Sequence, residues 1–97
     1  MKTRFNPLAE RELDEAYQYY EDQTPGLGER FLDEVQHALI LLRRHPEAAP
    51  KVLGSIRRFV LPLFPYSILY RPLKNGGLRI MAVGHQKRHP RYWVGRK

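Results

Sequence analysis

The sequence predicts an α+β fold, in which an N-terminal helical hairpin packs on one face of a three- to four-stranded antiparallel sheet, followed by a basic C-terminal tail or short helix. Apolar residues recur at helical spacing in the first half of the chain and at strand spacing in the second half, and Gly and Pro residues separate the segments. The 97 residues, 42% of them hydrophobic, suffice for one core. We therefore expect a single domain spanning residues 1–97.

The first helix is predicted to begin at Asn6 and Pro7. An Asn side chain can accept a hydrogen bond from a free backbone N–H at a helix start, and a Pro in the first turn loses no helical hydrogen bond. Acidic residues lie mostly between the members of the following apolar stripe. The stripe consists of Leu8, Leu13, Ala16, Tyr17 and Tyr20.

The second helix is predicted after a break at residues 23–26, and it should end before His45 and Pro46. Its apolar stripe consists of Leu27, Phe31, Val35, Ala38, Leu39 and Leu42. Leu32, Ile40 and Leu41 fall outside this stripe, so the end of the helix is apolar around most of its circumference. These residues either pack under the sheet or the following loop, which is the more frequent role, or form a groove for a partner helix.

Three strands are predicted at residues 55–61, 65–71 and 77–84, and a short edge strand at residues 3–5. The last strand alternates, with one face formed by Leu78, Ile80 and Ala82. On the strand before it, Tyr66 and Tyr70 share a face. The frequent role of such tyrosines is to fill the interface between sheet and helices, with their hydroxyls at its rim.

Charge is segregated between the two halves of the chain. Residues 1–47 contain all ten acidic side chains and six Lys or Arg, a net charge of −4, whereas residues 48–97 contain eleven Lys or Arg and no acid. A basic block without acidic partners of its own projects its field outward. It therefore favours nucleic acid, a ribonucleoprotein or an acidic protein segment as a partner.

Several functional classes are excluded or disfavoured. Without Cys, the chain has no disulfide and no thiolate metal site. The first eight residues contain no apolar run resembling a signal peptide, and the longest apolar run, residues 38–42, is too short to cross a membrane. His85 and His89 are four residues apart but lack a third metal ligand. We expect a cytoplasmic protein with no metal and no cofactor.

The C-terminal run from His85 to Lys97 interleaves basic and aromatic side chains. Basic residues hold phosphates and aromatic faces stack on bases, which favours a nucleic-acid contact. The same composition also fits a solvated tail that Trp93 anchors in the core. A metal-free ribonuclease is compatible as well, because His, Lys, Arg and Tyr can supply a base, an acid and positive charge for the transition state.

Three segments together resemble the RelE/ParE superfamily of type II toxin-antitoxin toxins, particularly its ParE-like branch. They are FPYSILYR at residues 64–71, LRIMAVGH at residues 78–85 and HQKRHPRYW at residues 85–93, and they follow two amphipathic helices. The resemblance implies a small bacterial toxin held inactive in a hetero-oligomer by an antitoxin encoded beside it. It also implies that the antitoxin docks on the apolar second helix and the sheet edge. The candidate contacts are Phe31, Leu32, Leu39, Ile40 and Leu41.

The superfamily divides by target. RelE-like members cleave mRNA in the ribosomal A site, and ParE-like members poison DNA gyrase. A nuclease set would comprise Arg58, His85, Arg88 and Tyr92. Val60 and Ser67, however, stand where active RelE-like nucleases usually carry Lys or Arg. Because losing one transition-state donor costs about 3 kcal/mol, we expect a gyrase poison, with a ribosome-dependent mRNA endonuclease or a non-toxic basic interaction module as alternatives.

The residues expected to contact the target are basic or aromatic and lie in the second half of the chain. They are Arg57, Arg58, Arg71, Lys87, Arg88, Arg91, Tyr92, Trp93 and Arg96. Arg88 is the strongest individual candidate. Its alternative role is a structural ion pair with an acid of the helical hairpin, since every acidic residue precedes residue 48.

Overall fold

The two helices lie on one face of a five-stranded sheet, which confirms the predicted α+β fold class. The computed structural model describes residues 3–97, so the first two residues of the N-terminal segment considered above lie outside the described residues. The elements are β1 (Thr3–Phe5), α1 (Pro7–Gln23), α2 (Leu27–Arg44), β2 (Lys51–Leu53), β3 (Ile56–Val60), β4 (Tyr66–Pro72) and β5 (Leu78–His85). The sheet order is β1-β5-β4-β3-β2.

Local capping chemistry sets the bounds of the hairpin as predicted. The Asn6 side chain accepts a 2.8 Å hydrogen bond from the Leu8 N–H at the start of α1. Gly26 precedes α2 with a φ of 90°, a conformation that favours glycine. The Glu21 carboxylate accepts 3.0 Å hydrogen bonds from the N–H groups of Gly26 and Gly28, and so joins the two helices at their connection.

The sheet differs from the expected three or four antiparallel strands in two respects. β1 pairs in parallel with β5, because no hairpin turn links these two strands and so nothing local imposes an antiparallel direction. β2 is an additional edge strand of three exposed residues, paired with β3. A strand of three residues that are all exposed shows no alternation of apolar and polar positions, so the sequence carries no periodic signal for it.

A β-bulge in β5 overturns the predicted alternation of that strand. Leu69 pairs with Ala82 and Tyr70 pairs with Ile80, which leaves Met81 as the additional residue. Beyond the bulge the side chains exchange faces, so Ala82 lies on the face away from the helices. The β5 residues that join the helix-side core are Leu78, Ile80 and Val83.

The main core lies between the helices and the sheet. Phe31 and Tyr70 are fully buried there, and the Tyr70 hydroxyl donates a 2.7 Å hydrogen bond to the Pro46 carbonyl at the rim. This confirms the predicted role for Tyr70, and Tyr66 packs partly buried against the same core. Leu8 was expected in the apolar stripe of α1, but it is 45% exposed. The small residue Ala9 is buried instead, one position further along the helix.

The surface of α2 considered for a partner is only partly accessible. Phe31 and Leu39 are 0% and 5% exposed and belong to the core, so they offer little surface to a partner. Leu32 and Ile40 are half-buried, and Leu41 is 41% exposed. The accessible apolar surface of α2 is thus narrower than the stripe suggested by the sequence.

Candidate functional site

The C-terminal tail, residues 86–97, crosses the face of the sheet opposite the helices and forms no helix. Successive turns are closed by hydrogen bonds of 3.0–3.2 Å between residues three apart, ending with the Arg96 N–H on the Trp93 carbonyl. Trp93 is 5% exposed and packs in a second cluster with Leu69, Met81 and Ala82. The anchored-tail interpretation of Trp93 is thereby confirmed.

A cavity of about 380 Å³ lies between the tail and strands β2, β3, β4 and β5. It brings together all four members of the nuclease set and two further predicted target contacts, Arg91 and Trp93. The Arg58 Nε donates a 3.1 Å hydrogen bond to the Ser67 hydroxyl on the adjacent strand. The lining residues are Val52, Leu53, Arg58, Ser67, Leu69, Gly84, His85, Gln86, Arg88, Pro90, Arg91, Tyr92 and Trp93. We refer to this space as the tail cavity.

A buried carboxylate, Glu12 of α1, connects the tail to the helices. Its side chain is 8% exposed and accepts hydrogen bonds from Arg88 at 2.6 Å, from Arg96 at 2.8 and 3.0 Å, and from the Val83 N–H at 3.1 Å. Arg88 therefore makes the ion pair with the hairpin that was its alternative role. Arg96, expected at a target surface, is also paired here, and its side chain is only 10% exposed.

Sequence reasoning missed Glu12, although a signal for it exists. Ala9, Glu12 and Ala16 are the buried residues of α1, and they lie three and four positions apart. Glu12 thus stands on the apolar face of the helix. An acid on such a face needs a charged or hydrogen-bonding partner, and the only half of the chain with surplus cations is the second.

Glu12 and Arg96 also form hydrogen bonds with backbone groups at the edge of β5, beyond the point where β1 ends. The Asn6 N–H makes the last backbone hydrogen bond along that edge, 2.8 Å to the Ile80 carbonyl. Beyond it, the Met81 carbonyl accepts a 3.2 Å hydrogen bond from Arg96, and the Val83 N–H donates to Glu12. The ion pair therefore satisfies backbone groups that a longer β1 would have paired.

Tyr92 lines the tail cavity, and its hydroxyl is buried. Its ring lies beneath the Arg88 guanidinium at 4.0 Å and near that of Arg96 at 5.2 Å. Its Oη has no hydrogen-bond partner among residues 3–97, and a Cβ at Gly84 would collide with it. Burial, followed by the charge of Glu12, raises the pKa of Tyr92 to about 12. The phenol is therefore neutral at physiological pH.

The remaining predicted target contacts do not all reach the tail cavity. Arg57 donates a 2.6 Å hydrogen bond to the Ala49 carbonyl and lines a different cleft, beside Arg44 and Lys51. Arg71 lies opposite Arg79 near the other end of the β4–β5 pair. Lys87 is exposed in the turn after β5. The predicted cations therefore divide between the tail cavity and more distant surface.

The two C-terminal histidines stabilise turns. His85 Nδ1 accepts from the Lys87 N–H at 3.1 Å, and His89 Nδ1 accepts from the Arg91 N–H at 3.2 Å. Within residues 3–97, no three His, Asp or Glu side chains are grouped so that they could hold a metal ion. In the same range, neither helix is long and apolar enough to cross a membrane.

Comparison with known proteins places this fold in a family. The family model described as ParE toxin of type II toxin-antitoxin system, parDE, matches residues 3–90. A chain from a solved structure of the chromosomal ParDE TA system from P. aeruginosa has a similar fold, with a TM-score of 0.72 at 18% identity over 88% of this chain and 95% of that chain. A search of curated proteins finds no significant match. The chain belongs to the ParE toxin family of type II toxin-antitoxin systems, within the RelE/ParE superfamily.

Proposed function

We propose that this ParE-family chain is a cytoplasmic toxin that binds DNA gyrase through its basic tail face and is neutralised by an antitoxin encoded beside it. The observation that carries the proposal is the state of the groups at the tail cavity. Arg88 and Arg96 are held by Glu12, and the Tyr92 hydroxyl is buried. Because its arginines are paired and its phenol is buried, this site is better suited to binding a partner than to transferring protons.

The distribution of cations also disfavours nuclease chemistry. Cleavage of RNA by its own 2′-OH needs a base, an acid and positive charge close to the phosphate in the transition state. Val60 and Ser67 supply no charge at the two positions noted above, and the Ser67 hydroxyl is already bonded to Arg58. Tyr92, with a pKa of about 12, remains protonated and cannot serve as a base near neutral pH.

A ribosome-dependent mRNA endonuclease is the second candidate. One observation favours it, because Arg58, His85, Arg88 and Tyr92 all line the same cavity. A substrate that drew Arg88 away from Glu12 would expose two guanidinium groups and an imidazole to one phosphate. The two candidates therefore differ in a measurable product, cleaved mRNA.

Induced expression in bacteria, with and without the neighbouring gene, tests the proposal. We expect growth arrest that the neighbouring gene relieves, induction of a DNA-damage reporter, and inhibition of supercoiling by purified gyrase. Cleavage of mRNA in a translating extract, with supercoiling unaffected, would replace the proposal by the endonuclease. Absence of growth arrest at full expression would favour a non-toxic interaction module.

A double variant at the tail cavity sharpens this test. Arg58 and Arg91 are absent from the Glu12 ion pairs, so Arg58→Ala with Arg91→Ala should fold normally and lose most of the growth arrest. Lys74, exposed in the turn between β4 and β5, is the matched control, and Lys74→Ala should remain as toxic as the wild type. Equal toxicity of all three proteins would show that the target binds elsewhere.

A further inference from the structure

We propose that the tail cavity is the docking site for an acidic segment of the antitoxin, which presents an aliphatic side chain next to a carboxylate. The aliphatic side chain would lie between β2 and Trp93, and Arg88 would leave Glu12 to bind the carboxylate. This inference rests on the proposed neutralisation by an antitoxin, and it adds the site and the chemistry of recognition.

The tail cavity is lined by both aliphatic and cationic side chains. Val52 and Leu53 of β2 line it although they are 41% and 40% exposed, so they offer aliphatic surface that the fold itself leaves uncovered. Its cationic lining residues are Arg58, Arg88 and Arg91. A volume of about 380 Å³ is near the lower end of ligand pockets and suits one or two side chains.

Arg88 is the exchangeable cation of this cavity. Arg96 binds Glu12 through both of its terminal nitrogens, at 2.8 and 3.0 Å, and thus balances the carboxylate charge alone. The Glu12, Arg88 and Arg96 group carries a net charge of +1 in consequence. The Arg88 side chain is 45% exposed and that of Arg96 is 10% exposed, so Arg88 can turn toward an incoming anion while Arg96 preserves the fold.

The aromatic residues of the cavity favour a protein segment over a nucleic acid. Single-stranded nucleic acid binds by stacking bases on accessible aromatic faces. Trp93 is 5% exposed and packs on the sheet, and Tyr92 is half-buried with its hydroxyl enclosed against Gly84. The cavity therefore offers charge and aliphatic contact but little stacking surface, which matches an acidic peptide segment.

The inference is tested by titrating the purified antitoxin, the product of the neighbouring gene, into purified toxin variants by calorimetry. Leu53→Glu replaces an aliphatic lining residue of the tail cavity by an acid, and Arg88→Ala removes the exchangeable cation. Each should weaken Kd about tenfold or more, because each removes an anchor of the docked segment. The matched controls are Leu8→Glu, an exposed apolar residue on α1, and Lys74→Ala, and both should stay within about twofold.

Thermal unfolding monitored by circular dichroism separates docking from folding. Arg88→Ala and Leu53→Glu should melt close to the wild type, whereas Arg96→Ala should melt well below it. Wild-type affinity of Leu53→Glu and Arg88→Ala, with growth arrest still relieved, would overturn the docking site and leave the proposed function standing. An antitoxin that failed to bind the wild-type toxin would refute the proposed neutralisation itself. A single-stranded oligonucleotide that displaced the antitoxin equally well from the wild type and from the cavity variants would also count against the site.

Discussion

The two faces of the sheet are built by different physical means. The helix face is a closed core of apolar and aromatic side chains, in which Tyr20, Phe31, Phe64 and Tyr66 pack with ring centroids 4.9–5.9 Å apart. The tail face has a small cluster around Trp93, a cavity, and a buried carboxylate shared by two arginines. Packing thus dominates one face and charge the other.

The two faces therefore differ in the surface that they leave uncovered. A closed apolar core has no surface left for a partner, whereas the tail face keeps cations and aliphatic groups at the border of the cavity. The ion pairs of Glu12 span 76 and 84 positions of the chain, so they fasten the tail across the fold without filling the space beside it. The following variants measure how much each face contributes to stability, in order of decreasing effect.

The largest loss is expected from the helix face. Phe31 is fully buried between the helices and the sheet, so Phe31→Ala should lower the free energy of unfolding by about 4 kcal/mol, measured by urea denaturation. Leu63→Ala is the control, because Leu63 is 80% exposed and should change stability by less than about 0.5 kcal/mol. A loss below about 1 kcal/mol at Phe31 would contradict a closed core.

The next largest loss of stability should come from replacing Glu12, the buried carboxylate of α1 that binds the tail. Glu12→Gln keeps the shape of the side chain but leaves Arg96, which is 10% exposed, without a counter-charge. Removing one partner of such a pair costs about 3 kcal/mol, which urea denaturation would measure. Glu15→Gln, an exposed position on the same helix, should change stability by less than about 0.5 kcal/mol.

A double variant distinguishes lost charge balance from lost packing at this site. Glu12→Gln combined with Arg96→Met replaces the ion pair without a bare buried charge, so most of the stability should return. If the double variant were as unstable as Glu12→Gln alone, the Arg96 side chain itself, through its packing and its hydrogen bond to the Met81 carbonyl, would be the dominant contribution. Either result locates the source of stability on the tail face.

The fold was predictable where local chemistry determines it. The Asn6 cap, the break before Gly26 and the stop at His45 set both helices as expected. The parallel direction of β1, the short β2 and the bulge at Met81 were not predictable, because each depends on pairing between distant segments. A single additional residue is invisible to an alternating pattern until its partner strand is known.

The sequence predicted which residues lie together at the candidate site, but not which ion pairs they form. The sequence identifies Arg58, His85, Arg88 and Tyr92, and the fold does bring them to one cavity. It does not reveal that Glu12 engages Arg88, since the place of Glu12 on the apolar face of α1 indicates that it needs a partner but not which cation that partner is. Only the return of the tail across the sheet identifies Arg88 and Arg96 as its partners.

A smaller loss is expected from a hydroxyl on the helix face. Tyr70→Phe removes the 2.7 Å hydrogen bond to the Pro46 carbonyl while keeping the ring in the core. The expected cost is about 1 kcal/mol, typical of a hydrogen bond, and is again measured by urea denaturation. An unchanged free energy of unfolding would mean that water satisfies the Pro46 carbonyl as well as the tyrosine does.

Removing a tyrosine hydroxyl on the tail face should have the smallest effect on stability near neutral pH. This effect should, however, change with pH. The Tyr92 hydroxyl is buried without a partner among residues 3–97, so Tyr92→Phe should leave stability unchanged or raise it by up to about 1 kcal/mol. Growth arrest should persist in this variant if Tyr92 contributes its ring to binding. Loss of arrest would instead point to proton transfer by the hydroxyl and therefore to the endonuclease.

At high pH the variant and the wild type should diverge. The pKa of Tyr92 is raised from 10.0 to about 12 in the folded chain, so folding favours the protonated phenol. The stability that this preference contributes is complete below about pH 10, where the phenol of the unfolded chain ionises, and is lost as the pH rises to about 12. The wild type should lose more stability than Tyr92→Phe across that interval in urea denaturation at stepped pH. Because burial also raises the pKa of Tyr20, Tyr66 and Tyr70, both proteins should weaken, and parallel curves would show that the Tyr92 phenol ionises freely in the fold.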